Sequence, residues 1–162
     1  MINRGAWIED IASQAAVGGH IFPQMAASEA ALESGFGESK LAREANNLFG
    51  MKQHIHPIFG TLSLPTKEFL NDQWEVVDAN WVEYPTIAAC FADRMSTLER
   101  LKDVYPHYGM ALAATDEYIY IEEVSKSWAT DPERAKHVTD IYREYFAESN
   151  HDDVQEASAG GN

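Results

Sequence analysis

A single cysteine, Cys90, stands among 162 residues, which excludes an intrachain disulfide. It falls in an apolar helical pattern and reads as a small buried hydrophobe. Basic residues are scarce as well: 12 Lys and Arg face 26 Asp and Glu, for a formal net charge of −14. Nucleic acids and anionic lipid surfaces both require clustered cations, so neither is expected as a partner. No apolar run approaches the length that crosses a bilayer, so no membrane insertion is expected. Met1 to Asp10 holds one arginine and no apolar stretch, so no signal peptide is visible. The chain also lacks internal repeats, a phosphate-cradling Gly-rich loop, an HExxH pair, and a cysteine with a catalytic partner. No cofactor is implied. His54 and His56 sit two residues apart without a third ligand nearby, which makes a surface loop the better reading than a metal site.

What is present is a soluble globular composition, 45% apolar and 23% charged, in a length that suits one domain. The apolar spacing of Ile8, Ile11, Ala12 and Ala15 predicts a helix ending near Gly18-Gly19. Pro23 suits the first turn of a second, alanine-rich helix carrying Met25, Ala26, Ala30 and Glu33. On that helix Glu29 and Glu33 are four residues apart and share a face. Gly35 and Gly37 are expected to stop it one turn past Glu33, and a short helix is expected from Glu38 to Ala45. From Ile55 to Tyr84 alternation replaces helical spacing. Leu62, Leu64, Thr66, Glu68 and Leu70 fall on one side of a strand, Asn71-Asp72-Gln73 reads as a turn, and Trp74 to Val77 returns. Ile87, Cys90, Phe91, Arg94, Met95, Leu98 and Leu101 form a helical stripe reaching about Lys102, interrupted by Pro106 and Gly109. Two further helices are expected, one opened by Thr115-Asp116-Glu117 and one by Asp131-Pro132.

The fold class that follows is mainly α (α+β), a helical lobe with a small inserted β-hairpin lobe. One domain is expected over residues 1–147, with the β-lobe at about 55–84. The Ser-, Asn-, Asp- and Gly-rich segment 148–162 reads as a disordered acidic tail.

A carboxylate at a helix end beside a gap between helices and a β-lobe is the layout of lysozyme-like enzymes. The residues narrow it. The run Ala31-Leu32-Glu33-Ser34-Gly35-Phe36-Gly37, then Ser39, Leu41-Ala42 and Asn47-Leu48-Phe49-Gly50-Met51-Lys52, resembles glycoside hydrolase family 73. Thr66-Lys67-Glu68 resembles its Thr-x-Glu, Trp81-Val82-Glu83-Tyr84 its aromatic-x-x-Tyr, and Trp128-Ala129-Thr130-Asp131-Pro132 its Tyr-Ala-Thr-Asp-Pro. The resemblance spans about Ile8 to Phe146. It implies a lysozyme-like fold with a cleft between the lobes. It also implies an endo-β-N-acetylglucosaminidase that cuts the β-1,4 bond between N-acetylglucosamine and N-acetylmuramic acid in peptidoglycan glycan strands. A monomer acting on the bacterial cell wall is expected, whether secreted, periplasmic or phage-delivered. The rival readings are a muramidase or lytic transglycosylase cutting the other glycan bond, and a non-catalytic peptidoglycan-binding module.

By the same resemblance Glu33 is the general acid, because a glycosidic oxygen leaves poorly until protonated. Glu68 is the second carboxylate, with Asp72 and Asp78 as alternatives on the hairpin. The family carries glutamine where this chain has Glu29. That residue either keeps Glu33 protonated as a like charge or is paired elsewhere. Trp128 replaces the family's tyrosine and removes a hydroxyl. It is left between lining a subsite and packing, with Tyr118 or Tyr120 as possible hydroxyl donors. Asn47 and Phe49 are expected to shape the floor of the cleft as substrate-binding residues. Walls are themselves often anionic, so electrostatic capture of substrate is not expected to matter much.

Overall fold

The computed structural model describes residues 2–147; the expected acidic tail, 148–162, lies outside the described residues. Seven helices and one two-stranded sheet follow in chain order. Helix α1, Arg4–Val17, starts where Asn3 Oδ1 accepts from the Ala6 N–H at 3.0 Å, satisfying a free helix-end donor. It buries Ile8, Ile11 and Ala15. Helix α2, Pro23–Ser34, opens on proline at its first position and is buried almost all round, from Met25 to Ala31. Its alanines remove little area each. Their smallness lets α1 and α7 (Arg134–Tyr142) pack close against it. The short α3, Lys40–Ala45, is capped by Ser39 Oγ.

The hairpin pairs β1, Gly60–Leu70, with β2, Gln73–Glu83, antiparallel and without a bulge. The turn is tighter than the sequence suggested. Only Asn71 and Asp72 lie outside the strands, both with positive φ (52° and 63°), the two-residue geometry that follows the strand twist. Gln73 already pairs with Leu70, and β2 runs well past Val77. Leu62, Leu64, Thr66 and Glu68 share one face with Trp81, Ala79, Val77 and Glu75 opposite them. Lys52 bridges to β2 beside Trp81, six rungs from Glu68, about 20 Å along straight strands. Even so, its Nζ reaches Glu68 Oε1 at 3.1 Å, so the hairpin must curl with that face concave.

Helix α4, Ile87–Leu101, is capped by Thr86 and buries Cys90, Phe91, Arg94 and Leu98. Burial pushes the Cys90 thiol up to about 12, in keeping with an inert packing role. Pro106 and Gly109 do not merely interrupt: α5, Pro106–Leu112, begins on that proline and contains that glycine. Helix α6, Glu117–Trp128, is capped by Asp116, whose carboxylate accepts from the Tyr118 and Ile119 N–H groups. Asp131-Pro132 precedes rather than opens α7. Asp131 accepts from the Glu133 N–H in a turn, and the helix starts at Arg134. A π-helical turn, Arg143–Ala147, follows. Among the described residues no helix is long and apolar enough to cross a membrane.

The corner after α2 fixes where Glu33 points. The helix stops at Ser34, a single residue past Glu33, because Gly35 turns left-handed (φ 58°). Phe36 and Gly37 continue with positive φ (55° and 77°). The strain at Phe36 is offset by its ring, held between Trp7, Tyr145 and the Arg4 guanidinium. At Gly37 a Cβ would sit 2.6 Å from Trp7 Nε1. The Gly37→Ala variant is therefore expected to lose about 1–3 kcal/mol, read as a lower denaturation midpoint in urea.

Candidate active site

The sequence places a glutamate, Glu29, in the middle of the most buried helix, with no exposed surface on its side chain. An unpaired carboxylate there would cost many kcal/mol, so it must meet cations or lose its charge. It meets two. Arg94 on α4 forks onto it, its two terminal nitrogens donating to Oε1 at 3.1 Å and Oε2 at 2.9 Å. Arg134, at the start of α7, donates from a terminal nitrogen to Oε2 at 2.8 Å. Tyr120 on α6 gives its hydroxyl proton to Oε1 at 2.7 Å. Burial alone would raise the Glu29 carboxyl, but Arg94 and then Arg134 overcome it and hold it well below the usual carboxylate range.

His20 extends the network. Its Nδ1 accepts the Phe22 N–H at 3.0 Å, so the ring proton sits on Nε2 and faces the Tyr120 hydroxyl at 3.1 Å. Burial lowers this imidazole to about 4, against a smaller upward pull from Glu29, so it is neutral at neutral pH. The Arg94 guanidinium lies 4.5 Å from the Phe49 ring centre and 4.1 Å from that of Trp128, within cation–π range of both aromatics.

Glu33 sits one turn beyond Glu29 on the same face, at the open end of α2, with 26% of its side chain exposed. The nitrogen that reaches it belongs to the same arginine: Arg134 Nε donates to Glu33 Oε1 at 2.9 Å. The third nitrogen of Arg134 donates to Ser125 Oγ on α6 at 2.8 Å. Charges therefore alternate inward from the surface: Glu33, Arg134, Glu29, Arg94.

This arrangement corrects the first reading proposed for Glu29. Glu29 is matched by two guanidinium groups, and the group bonded to Glu33 is a cation. The other expected site residues divide by burial. Asn47 is 1% exposed and fully spent on backbone, donating to Met51 and Val82 carbonyls and accepting from the Met51 N–H. Phe49 is buried edge-on to Phe91 and Trp128. Tyr120 is wholly buried, its hydroxyl committed to Glu29. These three side chains lie behind the site and present almost no surface to a ligand. Tyr118 is exposed but stacks on Tyr142, whose hydroxyl donates to Glu117. Trp128 is half-buried, with one contact given to Arg94 and others to Phe49 and Tyr108.

On the hairpin, Glu68 holds the concave face and pairs with Lys52. Its opposite number is Glu75, not Asp72 or Asp78. Asp72 is in the turn, and Asp78 points to the other face, opposite Pro65. The structure gives Glu33 and Glu68 separate partners on separate lobes. His54 bonds to Arg100 at 2.8 Å, and His56 is exposed. Among the described residues no group of three or more His, Cys, Asp or Glu is placed to hold a metal.

The sequence reading missed both arginines. Arg94 carried a signal, a cation in the centre of an apolar stripe, which demands a buried anion. Arg134 follows directly on the Asp131-Pro132 turn and carried none.

Residues 9–147 match the family model described as "Glucosaminidase: Mannosyl-glycoprotein endo-beta-N-acetylglucosaminidase". The chain belongs to this glucosaminidase family. Among its relatives is the peptidoglycan hydrolase FlgJ of Salmonella typhimurium, 28% identical over 127 residues, which is 75% of this chain and 39% of that protein. A probable N-acetylmuramidase of Lactococcus lactis subsp. lactis is 30% identical over 148 residues, 86% of this chain and 33% of that protein. The chain thus spans less than half the length of either relative. In fold it is similar to the glycoside hydrolase domain of Salmonella typhimurium FlgJ, with TM-score 0.72, 22% identity, and coverage of 90% of this chain and 99% of that one. The catalytic domain of the Listeria monocytogenes autolysin Auto is equally similar, with TM-score 0.73, 22% identity, and coverage of 90% and 86%. In this chain the glucosaminidase fold is built around a core ion cluster of Glu29 and two arginines.

Two outcomes follow for stability. Glu29→Gln leaves two buried guanidinium groups short of a counter-charge and is expected to cost about 3–5 kcal/mol in urea denaturation. His20 is lower in the folded protein, about 4, than its usual 6.5, so acid protonates the unfolded chain first. Stability is full above pH 6.5 and falls as the pH drops towards 4, by about 3 kcal/mol from this group. Melting curves across that window should show the slope, and His20→Gln should flatten it.

Proposed function

We propose that this glucosaminidase-family chain hydrolyses the glycan strands of peptidoglycan, cutting the β-1,4 bond between N-acetylglucosamine and N-acetylmuramic acid. The observation that carries the reading is Glu33: a part-exposed carboxyl at a helix end, fixed by a buried arginine, in the motif that the resemblance assigns to the general acid. The catalytic unit is residues 1–147, working as a monomer on the bacterial cell wall, with the glycan lying between the helical lobe and the concave face of the hairpin.

Glu33 gives its proton to the bridging oxygen as the C1–O bond breaks, so the leaving sugar departs as an alcohol rather than an alkoxide. Positive charge gathers on C1 and the ring oxygen. Water adds to C1, and its proton passes to Glu68, which Lys52 orients at 3.1 Å. That ion pair is solvent-exposed and adds only about 0–1 kcal/mol, so its role is direction rather than stability.

A second reading is muramidase action on the alternate bond, favoured by the name of the Lactococcus relative. The reducing-end sugar of digested peptidoglycan separates them: N-acetylglucosamine supports our reading, and N-acetylmuramic acid overturns it. Glu33→Gln is expected to lower turnover by about 10²–10⁴-fold, the usual contribution of a positioned acid. Turnover equal to the wild type would leave the protein a binder, or place the acid elsewhere. Glu68→Gln is expected to lose less, on the order of 10-fold, because bulk water can accept the second proton.

A further inference from the structure

Arg134 does more than neutralise a buried acid. Each of its three nitrogens donates to a different side chain on a different part of the site: Glu33, Ser125 and Glu29. Its side chain is 2% exposed, so the guanidinium is fixed by its surroundings before any substrate arrives. We propose that Arg134 is a positioning residue for the general acid, confining the proton of Glu33 to Oε2. This inference rests on the reading of Glu33 as proton donor.

A guanidinium N–H can only donate. The oxygen it binds, Oε1, is therefore an acceptor, and in the protonated acid the hydrogen belongs to Oε2. Nε holds the carboxyl through Oε1, which leaves Oε2 as the oxygen that carries the proton. When that proton passes to the glycosidic oxygen, the new carboxylate forms 2.9 Å from a cation already in place. No group has to move to meet the charge. Charged groups near Glu33 include Arg134 from α7, with Glu29 from α2 and Arg94 from α4 behind it, while α6 brings the hydroxyls of Ser125 and Tyr120 to the two arginines. Glu29 is joined to the acid through Arg134, as the anchor that keeps the guanidinium from following Glu33 out to solvent. Arg94 matches the remaining charge of Glu29 and locks it from the other side.

The test uses a soluble glycan of alternating N-acetylglucosamine and N-acetylmuramic acid, with Glu33→Gln, Arg134→Lys and Arg134→Gln side by side. Arg134→Lys keeps the charge but not the planar fork, and is expected to lower kcat by about tenfold or more with KM within about twofold and the pH profile unmoved. Arg134→Gln removes the cation, and is expected to lower kcat by about 10²-fold with KM again within about twofold. A purely structural arginine would lower the melting temperature and leave the kcat of the folded enzyme unchanged. Folded Arg134 variants with wild-type kcat and profile, beside an inactive Glu33→Gln, would overturn the positioning role and leave the acid assignment standing. An active Glu33→Gln would overturn the acid assignment itself. Should neither arginine variant fold, proton NMR of the wild type decides. The Arg134 Nε proton is expected to be protected from exchange and to lose that protection in Glu33→Ala; rapid exchange in the wild type would overturn the proposal.

Discussion

The fold is built around a carboxylate that cannot be left alone. Glu29 lies in the middle of the most buried helix, and its four hydrogen bonds come from α4, α6 and α7. Those helices are thereby fixed about α2 by charge and direction as well as by apolar contact. Such a cluster adds little net stability over an apolar core of equal volume, since desolvation cancels most of the attraction. What it imposes is arrangement. A helix shifted by one residue would strand a guanidinium or a carboxylate without its partner, which is far costlier than a shifted leucine.

The same cluster links the core to the surface. Arg134 touches Glu29 with one nitrogen and Glu33 with another, so the rigidity of the buried ion pair is passed to the one carboxyl at the open helix end. The left-handed corner at Gly35 to Gly37 completes this by ending α2 immediately after Glu33 and turning the chain away. The aromatic pair Phe49 and Trp128 closes the outer side of Arg94, with the planes of both rings available to the cation. Trp128 thus supplies a broad face to a buried arginine, while the Tyr120 hydroxyl is committed to Glu29. The hairpin contributes differently. Its concave face carries Glu68 on an exposed ion pair, a softer mounting than that of Glu33.

Much of this was legible in the order of residues. Helix ends were marked by Pro23, Gly35 and Asp116, and the strands by their alternation, because capping and pleating are local physics that a few neighbours decide. The motif around Glu33 was legible for the same reason: corner, acid and glycine are adjacent in the chain. The errors fell where a local signal met a competing one. Asp131-Pro132 looked like a helix start but makes a separate turn, and Asn47 and Tyr120 looked like ligands because polar groups near a motif do, whereas both are consumed inside.

By itself the sequence determined the helical lobe, the inserted hairpin, the exposed acid at a helix end and the family, since each rests on residues within a turn or a strand of one another. Only the tertiary structure decided what Glu29 is for. Its partners lie 65, 91 and 105 positions away along the chain. A single charged residue on an alanine-rich helix looks the same whether it faces water or two arginines. The cost of burying a charge is paid between elements, and no local pattern records which elements will meet.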